Sequence, residues 1–164
     1  MAKTTAAGDA VIDFTLTGID CSQYSSRETR SKELLLFVFW KKSCGTCQFT
    51  FPFLQRLHEQ YAGEGFKVWG ISQEDAKDTL GFVKEYGAEF PQLIDEGLEL
   101  TEQYGLLSVP SMYLVDETRT ILRHVPAFVK DELNAIAKLA SERTGKPYLP
   151  VVRPDDDAPD TKPG

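Results

Sequence analysis

The apolar residues of this chain change their spacing several times, and each change marks a predicted element. Residues 10–17 alternate, with Ile12, Phe14 and Leu16 set against Val11 and Asp13, the period-two pattern of a short strand. Residues 19–32 are rich in Ser, Arg and other polar residues and read as a connecting loop. Residues 33–40 are almost continuously apolar, as expected of a strand covered on both faces. After Ser43 the period becomes helical: Cys47, Phe51, Leu54 and Tyr61 recur on one face, and Phe53 and Leu57 broaden it. Pro52 lies inside that helix and is expected to kink it, because proline removes a backbone donor and crowds the preceding turn.

The alternation continues with a strand at 66–72, then a helix at 75–86 that Gly87 can end in a left-handed cap. A short helix at 96–104 is stopped by Gly105. Next comes a hairpin, with strands at 111–116 and 120–125. The last helix, at 131–143, carries Leu133, Ile136, Ala137 and Ala140 on one face and ends at Gly145. Strands interleaved with helices predict an α/β fold, a central sheet with helices on both faces closed by an antiparallel hairpin. The 164 residues suit one domain. Its expected limits are 10–145, preceded by a flexible segment at 1–9. Five of the nine prolines fall after residue 146, so 146–164 reads as an extended, mostly disordered tail.

A hydrophobic fraction of 41% is that of a globular chain, and a formal charge of −7 argues against nucleic acid and anionic membranes as partners. The longest apolar run is far short of the roughly 20 residues that span a bilayer. The first residues show no apolar stretch like a signal-peptide core, so the expectation is either a cytoplasmic protein or one whose leader is not in this sequence.

The chemistry is concentrated in FVFWKKSCGTCQFTFP, where Cys44 and Cys47 are separated by two residues. A zinc site needs a second pair of ligands, and only Cys21, His58 and His124 remain, with no close pair among them. A structural disulfide would close too small a loop to stabilise much. Redox chemistry fits the position. Cys44 falls where a strand ends and a helix begins, so unpaired N–H groups and the helix dipole favour a thiolate there. Lys41 and Lys42 add positive charge. Cys47, one turn along, is placed as the resolving thiol. Gly45 lets a partner backbone approach closely, and Thr46 keeps the intervening dipeptide uncharged. No metal or other cofactor is expected.

These residues resemble the thioredoxin superfamily. Phe39–Trp40, Cys44-Gly45-Thr46-Cys47, Pro52 and the Val109-Pro110 pair before SMYLVD carry the likeness, which covers about residues 10–143. The segment EYGAEFPQLIDEGLELTEQYGLLSVPSMYLVD resembles the TlpA/ResA-like branch and its AhpC/TSA-type relatives. The resemblance implies a thioredoxin-like fold with a mixed sheet and an extra N-terminal strand. It implies a thiol–disulfide oxidoreductase that reduces disulfides in protein substrates, aided by an upstream redox partner. It also implies a cis Pro110 facing the cysteines and a substrate groove formed by Trp40, Gly45, Thr46, Val109 and Pro110, with Lys41, Lys42 and Pro52 in support. An extracytoplasmic site and a monomer are further expectations of the likeness.

Three departures accompany it. Val38 stands where thioredoxin keeps a buried Asp, Thr50 where the ResA-like branch often has Glu, and Ser43 where thioredoxin has Trp. Both usual proton-handling carboxylates are therefore missing, leaving water or another acid to deprotonate Cys47. A peroxiredoxin-like peroxidase is the enzymatic rival. It is disfavoured because Lys41-Lys42-Ser43 precede Cys44 where that pocket wants Pro and Thr, and Val109-Pro110-Ser111 occupies the region of its Arg. A non-catalytic module binding an extended peptide is the rival from another class. Cys21 reads as an incidental thiol.

Overall fold

The structure, a computed structural model, describes residues 5–29 and 31–164. In chain order its elements are β1 (Thr15–Thr17), β2 (Gln23–Ser25), β3 (Leu34–Trp40), α1 (Gly45–Tyr61) and β4 (Phe66–Ser72). Then come α2 (Ala76–Tyr86), β5 (Gln92–Ile94), α3 (Glu99–Gln103), β6 (Ser111–Val115) and β7 (Ile121–Val125). The chain closes with β8 (Ala127–Val129), α4 (Lys130–Thr144) and β9 (Thr161–Pro163).

Five strands form one mixed sheet in the order β5-β4-β3-β6-β7. The fully apolar β3 lies at its centre, parallel to β4 and antiparallel to β6. Because strand side chains alternate between faces, β3 feeds two different clusters. Phe37 and Phe39 point to one face and meet Tyr113 of β6 and Tyr104 at the end of α3, and Phe14 from the N-terminal segment packs on Phe37. Trp40 points to the other face, stacked on Phe82 of α2 at 4.2 Å and edge-on to Phe51 of α1 at 5.0 Å. Helices α1 and α2 thus share one face. The opposite face is covered by α3's end and the N-terminal segment. The expected extra N-terminal strand is real but short: only its end, Thr15–Thr17, is β1, and β1 pairs with β2, which lies in the stretch read as a loop, as a separate two-stranded ribbon.

The local helix signals act as expected. Asp75 caps α2 by accepting from Asp78 N–H at 2.7 Å, and Gly87 ends it at φ 66°. Gly145 does the same for α4 at φ 72°. The three-residue β5 has no counterpart among the expected elements, because so short a strand shows no period. Its position depends on Gly70 in β4, where a side chain would collide with the Gln92 amide. That space lets Gln92 Oε1 accept from the Trp40 indole N–H at 2.9 Å, satisfying a donor deep in the core.

Both ends of the chain require correction. Residues 1–4 of the segment expected to be flexible lie outside the described residues. Thr5 is buried with its N–H bonded to Tyr104 O at 3.1 Å, and Gly8 N–H bonds Ile121 O at 2.8 Å. The Pro/Asp-rich tail is not a loose extension. Val151 is 0% exposed and Val152 3%. The Asn134 amide accepts from both their N–H groups at 3.0 Å and donates back to Val152 O. Arg56 grips Asp156 through two nitrogens at 2.7 and 2.8 Å, and the Tyr61 hydroxyl accepts from Leu149 N–H. The tail's prolines and acids deny it a core of its own, so composition reads as disorder. Tertiary partners on α1 and α4 supply the burial and the hydrogen bonds that it cannot supply itself.

Candidate active site

The central strand ends at Trp40, and the exposed turn Lys41-Lys42-Ser43 delivers Cys44 to the N-cap of α1. Cys44 holds extended dihedrals (φ −87°, ψ 111°), so its Sγ swings back over the first turn and accepts the Cys47 N–H at 3.0 Å. A helix start has such donors to spare, and a sulfur placed there is stabilised as it gains negative charge. Cys44 is 8% exposed and Cys47 is 0% exposed, and both are free thiols. One sulfur therefore meets the surface while the other lies sealed beneath it.

The opposite wall comes from a distant part of the chain. The Val109–Pro110 peptide bond is cis, and Val109 O accepts from the Cys44 thiol at 3.3 Å. Folding thus unites Cys44, Gly45, Thr46 and Cys47 with Val109 and Pro110. A cavity of about 540 Å³ opens over Cys44 between these two walls, with Leu107 and Ser108 on its rim. Leu107 is 90% exposed, an apolar side chain presented to solvent beside the reactive sulfur.

The remaining expected residues divide. Lys41 borders the cavity, and its backbone N–H and charge both act on Cys47. Lys42 turns away to Asp78 at 3.4 Å. Pro52 lies on the exposed side of α1, which is helical without a break from Gly45 to Tyr61. Trp40 is corrected outright. Its ring is 0% exposed under α1 and α2 and reaches no groove, because it belongs to a strand covered on both faces. His124, set aside above as a zinc ligand, pairs with Ser111 Oγ at 2.8 Å and stacks on Tyr113 at 4.3 Å, and burial lowers its pKa. That pair buttresses the strand after Pro110, a support no sequence spacing indicates. Also absent from the sequence reading are Lys162, Pro163 and Gly164, which border the cavity.

Burial is the main cause that pushes the Cys47 thiol far above its ordinary range, with the adjacent Cys44 adding to it and Lys41 opposing it. No carboxylate ranks among these influences. Val38 is 0% exposed, and Thr50 Oγ1 spends its proton on Thr46 O at 2.7 Å. The step in which Cys47 attacks a mixed disulfide needs its thiolate, whose population grows with pH while pH lies below the raised pKa. We expect release of a peptide from Cys44 to accelerate about tenfold per unit between pH 6 and 9, without a plateau. Stopped-flow release from a preformed mixed disulfide checks this. An inflection in that range, abolished by replacing one Asp or Glu, would show that a carboxylate handles the proton.

A dithiol at a helix N-terminus, facing a cis-proline across one end of this mixed sheet, defines the thiol–disulfide oxidoreductase class of the thioredoxin fold. The AhpC/TSA family model matches residues 7–124, and the chain belongs to that family. It is 28% identical to the thiol-disulfide oxidoreductase ResA of Halalkalibacterium halodurans over 118 residues, 71% of this chain and 66% of that protein. It is 24% identical to the ResA of Bacillus thuringiensis subsp. konkukian over 119 residues, 72% and 68% of the two chains. The chain thus spans about two thirds of the length of these curated relatives.

Two solved structures share the fold. The thioredoxin domain of a thiol-disulfide oxidoreductase from Bacteroides vulgatus matches with TM-score 0.74 and 21% identity, covering 84% of this chain and 99% of that one. A thiol:disulfide interchange protein from Bacteroides sp. matches with TM-score 0.72 and 20% identity, covering 83% and 91%.

Proposed function

We propose that this protein reduces disulfides in extended protein segments, with Cys44 as nucleophile and Cys47 as resolving thiol. The observation that carries this is the asymmetry of the pair: Cys44 Sγ lies at the cavity floor with a backbone donor and the Val109 carbonyl beside it, while Cys47 lies buried beneath. Cys44 thiolate attacks one sulfur of the substrate disulfide and the other leaves as a thiolate. Cys47 thiolate then attacks Cys44 Sγ, the second substrate sulfur leaves, and the pair is left oxidised. Two electrons have passed to the substrate, so an upstream dithiol partner must return two to restore the pair.

The backbone of Val109 and Pro110 supports an extended substrate, which can lie along it as an added strand. Gly45, where an added Cβ would meet nothing within 4 Å, leaves that approach open. The likeness to the ResA-like branch further supports work outside the cytoplasm. Among the described residues no helix is long and apolar enough to cross a membrane.

Equilibration against dithiothreitol and glutathione buffers tests the direction. We expect a potential near about −270 mV, and a value near −120 mV would assign an oxidase instead.

A further inference from the structure

The tail is held in two different ways. Up to Asp156 it is anchored by buried valines, Asn134 and the two-pronged Arg56 contact. At Asp157 the backbone turns through a left-handed conformation, φ 51°, and none of residues 158–164 is buried. Residues 161–163 form β9, pairing antiparallel with β8 through Ala127↔Pro163, Phe128↔Lys162 and Val129↔Thr161. Lys130 pairs with Asp160, whose side chain is 93% exposed. Lys162 Nζ lies over the Phe49 ring at 5.7 Å.

The end of this strand lies between the two walls of the cavity over Cys44. Thr46 Oγ1, in the turn between the cysteines, donates to Pro163 O. Gly164 packs so tightly on the Val109 carbonyl that a side chain there would collide with it. The chain's own backbone thus touches the Cys44–Cys47 turn and the residue before the cis-proline together, which are the two features that would receive an extended substrate.

We propose that residues 158–164 are a self-docked strap that fills the strand-binding edge beside Cys44 in the resting protein and swings out about Asp157 when a protein disulfide docks. The proposal rests on the reading of this site as a reductase of extended protein segments. Pro163 O already takes the Thr46 hydroxyl and Gly164 covers the Val109 carbonyl, so an extended substrate laid along Val109 and Pro110 must displace the strap to reach them. The firm anchor ending at Asp156 keeps the strap close enough to close again after each turnover.

The test compares the full chain with one ending at Asp157, both carrying Cys21→Ser so that the exposed thiol does not react. A strap closed about nine-tenths of the time lowers apparent reactivity roughly tenfold. The shortened chain should therefore alkylate at Cys44 with a bulky maleimide, and reduce insulin by kcat/KM, roughly tenfold faster. Equal alkylation rates overturn the strap, and so does a fall in insulin reduction, which would make residues 158–164 part of the substrate site. Faster alkylation with no disulfide reduction by either chain upholds the strap and overturns the reductase reading.

A second measurement stands even where the shortened chain fails to fold. In the full chain carrying Cys47→Ser, a peptide trapped on Cys44 should raise hydrogen exchange at the amide of Lys162, which faces Phe128 of β8, roughly tenfold. Unchanged protection there overturns the proposal.

Discussion

Replacing Cys44 with Ser is expected to lower disulfide reduction by at least about 10³-fold, because the hydroxyl cannot form the mixed disulfide and no other thiol can take its place. Cys47 is 0% exposed, and Cys21 sits in the turn between the ribbon strands β1 and β2. Cys47→Ser should also stop turnover, but in a different way: substrate accumulates as a mixed disulfide on Cys44, visible as a mass increase that reductant reverses. Cys21→Ser should leave the rate unchanged. Insulin reduction followed by turbidity, with mass spectrometry of the two serine variants, reads all three. Cellular function surviving Cys44→Ser would move the assignment to a peptide-binding module. A Cys21 that alkylates faster than Cys44 at neutral pH would place the reactive thiol elsewhere.

The second large effect falls on stability. Trp40→Ala should cost about 3–5 kcal/mol, because it leaves a large cavity between β3, α1 and α2 and strips Phe51 and Phe82 of their shared partner. It also leaves Gln92 Oε1 without its indole donor in a buried site. Domains of this size are stable by about 5–15 kcal/mol, so the loss is a large fraction of the whole. Urea unfolding at constant m-value measures it. Trp40→Phe refines the question: it should lose only about 1–3 kcal/mol, chiefly from the unpaired Gln92, with no change in KM for protein substrates. A loss under about 1 kcal/mol for the alanine variant, or a raised KM for the phenylalanine variant, would return the ring to the groove.

Much of the site is legible in the sequence alone. The reactive pair, its place at a strand end and helix start, and its division into outer and inner thiol come from residues 37–52, where a continuous apolar run gives way to helical spacing. Strand β4 and helix α2 are readable to within a residue, since both carry strong periods and α2 has an Asp cap and a Gly stop. The partner wall, Val109–Pro110, is legible only through family likeness, because nothing in its local spacing ties it to residues 65 positions earlier. The missing acids at Val38 and Thr50 are equally visible in sequence. Only the fold shows that burial dominates at Cys47 and that Thr50 is already committed to the helix backbone.

The misreadings share one cause. Trp40 looks like a groove residue because it neighbours the motif. It points instead into the face covered by α1 and α2, a matter of sheet alternation and of Gly70 and Gln92 on neighbouring strands. The tail looks disordered because its composition offers no core and no period. Its order comes from Arg56, Tyr61, Asn134 and β8, all distant in sequence. Local spacing, capping and turn chemistry determined the elements, the central strand and the thiol pair, since those depend on neighbours within a few residues. The tertiary structure alone decided which wall faces Cys44 and what lies across it, because those contacts form only when segments far apart along the chain bury one another's surfaces and satisfy one another's backbone groups.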